Sequence, residues 1–431
     1  ESKEKLVSLC FVSQVWHLKT EENSVLMNLV LQVVCAAVAV VSLAGDANAQ
    51  ATNITTDLPI VCYYYGWANT RPHPMNYEPE DLPGDLCSHV NFAFAGIDAD
   101  TFELKSEVPE YEDNRSLYKK FTSIKDKYPH LKTLLSIGGW QHNLRSFSPM
   151  VSSEASRQKF LESLSLWMDE YGFDGADINW MFPAVSERGG APTDRQNYVQ
   201  LLKEIESVFR NKSLLLTITV PILPRYLDPG YDVAELSKYV AWFNVHTFDL
   251  RGRWNGVTDV HSPLYTRSID VGEFKSLNVK DGLEKLVALG VPKDKLLMGI
   301  PFFGRQFTLL NEAQHGLHAI IDPEATPRAG PFVRSDVILG YYEICILLRA
   351  SWVREFDNEG KCPFAYRGNM WVGYDDVDSI DYKTRFVVDE GYGGVQVFNV
   401  DLDDFQGICG ATNPLMKAIN ARLRPNQNRV K

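Results

Sequence analysis

Between Tyr171 and Pro183 the chain reads Tyr-Gly-Phe-Asp-Gly-Ala-Asp-Ile-Asn-Trp-Met-Phe-Pro. Three residues at alternate positions, Asp177, Asn179 and Met181, set a carboxylate, an amide and a thioether in a row. Side chains alternate along a strand, so these three would share one face, with Ile178 and Trp180 on the other. A packed core seldom takes such a row, and burying Asp177 without partners is costly. Two readings stand level on the residues alone: the row lines a ligand cavity, or it belongs to a structural polar network.

The elements that must position this row alternate. The stretch itself reads as a buried strand, entered through Gly172 and Gly175 and stopped by Pro183. Ile60 to Tyr64, His89 to Ala95 and Leu131 to Ile137 precede it as strands, and Leu214 to Val220, Val240 to Phe248, Leu296 to Phe303 and Gly394 to Val400 follow. Ser153 to Tyr171 carries helical spacing in Phe160, Leu164, Trp167 and Met168, with Glu154 favourable near its N-terminus, and Asn197 to Phe209 is helical again. Eight strands alternating with helices predict an α/β fold, a closed (β/α)8 TIM barrel whose working face lies at the C-terminal ends of the strands. From about 308 to 379 short aromatic strands and turns replace the long helices. This predicts a small α+β insertion domain between the seventh and eighth strands, with the barrel over 58–307 and 380–424 and a polar tail over 425–431.

The Tyr171–Pro183 stretch resembles the signature of family 18 glycoside hydrolases, the chitinases, which runs Asp-Gly-x-Asp-x-Asp-Trp-Glu-Tyr-Pro. Asp174, Gly175, Asp177, Trp180 and Pro183 match, whereas Asn179, Met181 and Phe182 stand where the pattern has Asp, Glu and Tyr. Further stretches resemble family motifs in order: Cys62–Trp67, Tyr77–Leu82, His89–Gly96, Ser136–Trp140, Gly299–Arg305, Trp371–Asp376 and Gly394–Phe405.

The resemblance implies substrate-assisted hydrolysis, in which the N-acetyl oxygen of the sugar attacks and the Glu protonates the leaving oxygen. Met181 has no ionisable proton to give. Asn179 lacks the carboxylate that would orient the acetamido group, and Phe248 lacks the Tyr hydroxyl expected on the sixth strand. With Asp174, Asp177, Asn179, Met181 and Phe248 as degenerate positions, the expectation is a pseudoenzyme. Asp177, Asp249, Glu187 and Asp375 are candidates by type alone to replace the acid, and none falls at the Glu position.

A sugar groove is a separate expectation, since aromatic faces and a few polar groups bind pyranose rings. By resemblance Tyr63, Trp67, Phe94, Trp140, Asp177, Asp249, Arg305 and Phe398 would bind chitin or N-acetylglucosamine oligosaccharides. The chain resembles the chitinase-like lectins and imaginal disc growth factors, inactive relatives with altered signature residues. His246, Arg251 and Arg253 would bring positive charge toward the groove mouth, or else pair with Asp249, Asp259 or nearby glutamates. A protein receptor is the alternative partner, and slow residual hydrolysis ranks last.

The chain has 431 residues and a formal charge of −12, which argues against a general nucleic-acid binder. Leu29 to Leu43 is apolar and leads to Ala47-Asn48-Ala49; it is too short for a comfortable membrane span and reads as a signal peptide over 27–49. Residues 1–26 are either translated upstream sequence or an extended n-region. A secreted monomer is expected, with no cofactor, because neither a phosphate-cradling Gly-rich loop nor metal-spaced His/Cys is found. Beyond residue 49 stand Cys62, Cys87, Cys345, Cys362 and Cys409, so two disulfides and one free thiol are the simplest arithmetic. Spacing leaves the pairing open; the resemblance implies Cys62–Cys87 and Cys345–Cys409. Asn53, Asn114 and Asn211 head glycosylation sequons.

Overall fold

The computed structural model of the chain describes residues 57–108, 114–142 and 145–425. The signal-peptide segment, Asn53, the side chain of Asn114 and residues 426–431 lie outside the described residues. In chain order the strands are β1 (Ile60–Tyr65), β2 (His89–Ile97), β3 (Leu104–Ser106), β4 (Lys132–Gly138), β5 (Gly175–Asn179), β6 (Leu215–Pro221), β7 (Phe243–His246) and β8 (Leu296–Pro301). Then come β9 (Phe303–Thr308), β10 (Ile338–Gly340), β11 (Val353–Asp357), β12 (Cys362–Arg367), β13 (Met370–Gly373) and β14 (Gly394–Phe398).

Eight of them pair in parallel in the order β1-β14-β8-β7-β6-β5-β4-β2, and β1 pairs back onto β2. The result is a closed (β/α)8 TIM barrel; β3 adds an antiparallel edge to β2. Closure leaves no free edge, and long apolar runs such as Leu215-Leu-Thr-Ile-Thr-Val-Pro221 suit strands covered on both faces. The helix Glu154–Tyr171 shows how local chemistry sets the bounds. Ser153 accepts a bond from the Ser156 amide at its start, and Gly172 ends it at φ +71°, a conformation that costs glycine little. Phe160, Leu164 and Met168 bury its inner face, and full burial of each such side chain contributes about 1.5–3 kcal/mol.

The second sheet is antiparallel, in the order β10-β9-β13-β12-β11. Period-2 alternation covers both of its faces: Phe364 and Trp371 join one apolar cluster, whereas Ala365 and Val372 join another with Ile344 of the helix Tyr341–Arg349. Its first strand begins at Phe303, inside the stretch expected to belong to the barrel. Cys62 is bonded to Cys87, with Cα atoms 6.1 Å apart, and Cys345 to Cys409, at 6.2 Å. Cys362 is free and buried, and its thiol donates to the Ser262 carbonyl.

β5 is shorter than its sequence suggests. It leaves the sheet after Asn179, so Met181 stands beyond the strand end.

Candidate functional site

Asp177 sits near the barrel axis with none of its surface exposed. Its Oδ2 accepts from Ser136 Oγ at 2.7 Å, Tyr63 Oη at 2.8 Å and Thr219 Oγ1 at 3.2 Å. Its Oδ1 accepts from Thr217 Oγ1 and Asn244 Nδ2, both at 3.0 Å. The sheet register produces this convergence, because Ser136, Asp177 and Thr217 are direct partners across β4, β5 and β6, and Thr219 faces Asn244 on β7. Burial raises the carboxyl's pKa against these hydrogen bonds, which lower it. The two readings of the row meet here: Asp177 anchors a polar network that lies beneath the barrel mouth. Small polar residues at one register of adjoining strands were the signal in the sequence, and it went unread.

Above Asp177 the strand end is crowded with backbone. The Gly139 amide donates to the Asn179 carbonyl at 2.8 Å. A Cβ on Gly138, whose φ is +109°, would meet that oxygen at 2.4 Å, so glycine is required there. The Asn179 side chain is buried, and its Oδ1 has no hydrogen-bond partner among the described residues. Met181 is half-buried.

The aromatics form a floor. Phe398 lies 5.5 Å from Tyr63, 6.5 Å from Phe94 and 5.6 Å from Phe248, ring centre to ring centre, the last pair stacked. Tyr63 is 1% exposed, so its ring is no stacking surface; its role is the hydroxyl on Asp177. Trp67 and Trp140 are open to solvent. Trp254, not expected as a site residue, is 52% exposed, with the Arg305 guanidinium 5.6 Å above its ring. Arg253, Trp254, Leu310, Ile320, Ile321 and Pro323 line an apolar cleft of 550 Å³.

The charges differ from expectation. Arg305 Nε donates to Asp249 Oδ1 at 2.7 Å, and its Nη2 lies 2.6 Å from Oδ2. Burial opposes ionisation of Asp249, but Arg305 and His261 hold its carboxyl well below the usual carboxylate range. His246 is neutral at neutral pH, since burial lowers its pKa to about 4, and its Nε2 has no hydrogen-bond partner among the described residues. Arg251 does not reach the mouth either: fully buried, it is clasped by Asp259 and Asp270 at 2.8–2.9 Å. Arg253 donates to the Ala325 carbonyl. Of the two alternatives for Arg251, pairing with carboxylates holds, because a buried guanidinium needs them, and the half-buried His246 brings no charge to the mouth at neutral pH.

The other signature carboxylate is remote from this chemistry. Asp174 lies at the opposite end of β5, accepting from Lys125 Nζ at 2.9 Å and from the Thr133 amide at 2.9 Å. It ties strand starts together. Glu187 is exposed on a turn, and Asp375 pairs with the buried Lys383 at 2.7 Å. Asn211 is exposed near the end of the helix Asp194–Lys212. Asp259, Asp270 and His318 converge as metal-type ligands, but Arg251 and Arg267 already fill the space among them. Among the described residues no helix is long and apolar enough to cross a membrane.

Comparison with known proteins places this geometry in context. The profile of glycosyl hydrolases family 18 matches residues 59–403. An endochitinase of Manduca sexta is 36% identical over 89% of this chain and 70% of its own length. The chain spans about half the length of several other curated relatives it matches. Among solved structures, the Group IV chitinase of Ostrinia furnacalis, in complex with allosamidin, aligns with a TM-score of 0.82 and 33% identity, over 86% of this chain and 99% of that one. Human YKL-39, described as a pseudo-chitinase with retained chitooligosaccharide binding properties, aligns with a TM-score of 0.77 and 32% identity, over 85% of this chain and 99% of that one.

Proposed function

The chain belongs to glycosyl hydrolases family 18, and from that premise we propose that it is a secreted, catalytically inactive member that binds chitin-type N-acetylglucosamine oligosaccharides at the barrel mouth. One observation carries the reading: the residue at the family's proton-donor position is Met181, which has no proton to donate. General acid catalysis is typically worth a factor of about 10² to 10⁴, and the nearby carboxylates are otherwise engaged. Asp177 is enclosed by five donors and Asp249 is held as an ion by Arg305. Asn179 and Phe248 remove the carboxylate and hydroxyl that would orient a reacting acetamido group. Binding is supported by what remains: the Phe398 floor, the open indole of Trp140, and Asn179 Oδ1 and His246 Nε2, which have no hydrogen-bond partner among the described residues. YKL-39 gives a precedent for binding without catalysis. Export is supported by two disulfides, which persist in oxidising compartments.

Calorimetric titration with chitohexaose, followed by product analysis on the same sample, tests the proposal. Saturable binding with uncleaved sugar is expected; cleavage at a rate like that of an active chitinase would overturn it. The triple variant N179D/M181E/F248Y should gain hydrolysis. A protein partner is the second reading, supported by the exposed apolar cleft at Trp254, Leu310 and Ile320. Under that reading the wild type binds no chitohexaose at millimolar sugar.

A further inference from the structure

Arg188 closes a short turn, Ser186–Arg188, just beyond the signature stretch. Its guanidinium carbon lies 4.1 Å from the centre of the Trp140 ring. Nη2 donates to the Trp140 carbonyl at 2.5 Å, and Nε donates to the Met181 carbonyl at 3.0 Å. One planar fork thus ties the loop after β4 to the loop after β5 and covers one face of the indole.

The backbone gives that indole little help. Trp140 is 57% exposed and follows Gly138 and Gly139, both at positive φ. Glycines in that region allow a wide range of backbone conformations. The other ring against it is Phe182, edge-on at 6.4 Å, which is itself stacked on Tyr226 at 4.1 Å. Among the described residues no carboxylate forms an ion pair with Arg188, so its geometry is set by the two carbonyls and the ring.

We propose that Arg188 is a positioning residue: it holds the Trp140 indole so that a single face is offered to a sugar ring. The guanidinium does this as a rigid fork that both donates and stacks, which a lysine ammonium cannot reproduce. The consequence for ligand binding rests on the sugar-binding reading above; the bracing of Trp140 does not.

The test uses the full chain as wild type, R188A, R188K and W140F. Chitohexaose affinity is measured by calorimetry, and acrylamide quenching of tryptophan fluorescence reports on the indole. The W140F protein supplies the signal of the other tryptophans for subtraction. In both R188A and R188K, binding should weaken by about five- to tenfold, and the Trp140 component should become more quenchable. Wild-type affinity and quenching in R188A, or full retention of both in R188K, would overturn the proposal. If the wild type itself takes up no chitohexaose, the sugar reading fails on that result alone, and the quenching comparison still decides whether Arg188 braces Trp140.

Discussion

Asp177 and Asp270 are both buried carboxylates, yet neutral donors surround the first and guanidinium groups grip the second. Around Asp177 three hydroxyls meet Oδ2, and a hydroxyl can turn from donor to acceptor. Around Asp259 and Asp270, Arg251 and Arg267 present fixed forks with no acceptor capacity, joined by Asp357 and His318 from the second sheet and its connections. The Asp177 network is adaptable, because hydroxyl donors can reverse when their neighbours change. The arginine cluster is saturated and fastens the β7–β8 connection to residues of the second sheet and its connections. Neutral hydroxyls tolerate more than one arrangement, whereas paired guanidinium and carboxylate groups are satisfied by one geometry.

Breaking the cluster should therefore cost more than editing the network. R251M leaves two carboxylates sharing one guanidinium and is expected to lose about 3–5 kcal/mol of stability, read by urea unfolding. D177N puts an NH2 group among hydroxyls that can reverse, so a loss of only about 1–3 kcal/mol is expected. Equal losses would end the distinction between the two regions.

His246 sharpens it from the mouth side. An unfolded histidine titrates near 6.5, and the half-buried His246 is lowered to about 4 by desolvation. As pH falls below about 6.5 the unfolded chain takes up a proton that the folded chain refuses, so stability drops until about pH 4. The shift corresponds to about 3 kcal/mol at the acid end. H246Q should flatten the stability-pH curve between those values by roughly that amount. His89, lowered to about 4 by burial as well, will keep part of the slope. A slope unchanged in H246Q would show that His246 is protonated in the fold.

The two regions were unequally legible in the sequence. Strand order followed from alternation, and the helix Glu154–Tyr171 followed from Ser153, Glu154 and apolar spacing, because those signals are local. Asp177 could be placed on an inward face, but its partners lie 40 to 114 residues away and only sheet register brings them together. For Arg251 the sequence offers the mouth or a carboxylate partner; pairing holds, with Asp259 as one of the named candidates, while Asp270, its second partner, lies in a long connection with no periodicity to read. Arg188 had no signal at all, since what defines its place is two carbonyls and a ring face.

The smallest expected effect belongs to His318, the cluster's half-buried corner. Its Nε2 lies 3.1 Å from Asp259 Oδ2 and 3.7 Å from Asp270 Oδ1. The hydrogen bond to Asp259 and the charges of both carboxylates raise its pKa above 6.5, against burial and Arg251. The folded state therefore holds this proton more tightly than the unfolded chain does. Its stabilisation is complete below about pH 6.5 and fades as pH rises through the raised folded value. Because the imidazole is partly solvated, no more than about 1 kcal/mol is at stake. Thermal unfolding of H318Q should fall below wild type at pH 6 and match it at pH 9, the opposite sign to H246Q. A deficit that persists unchanged at pH 9 would mean that His318 acts by packing against Phe274, 5.1 Å away, and not by charge.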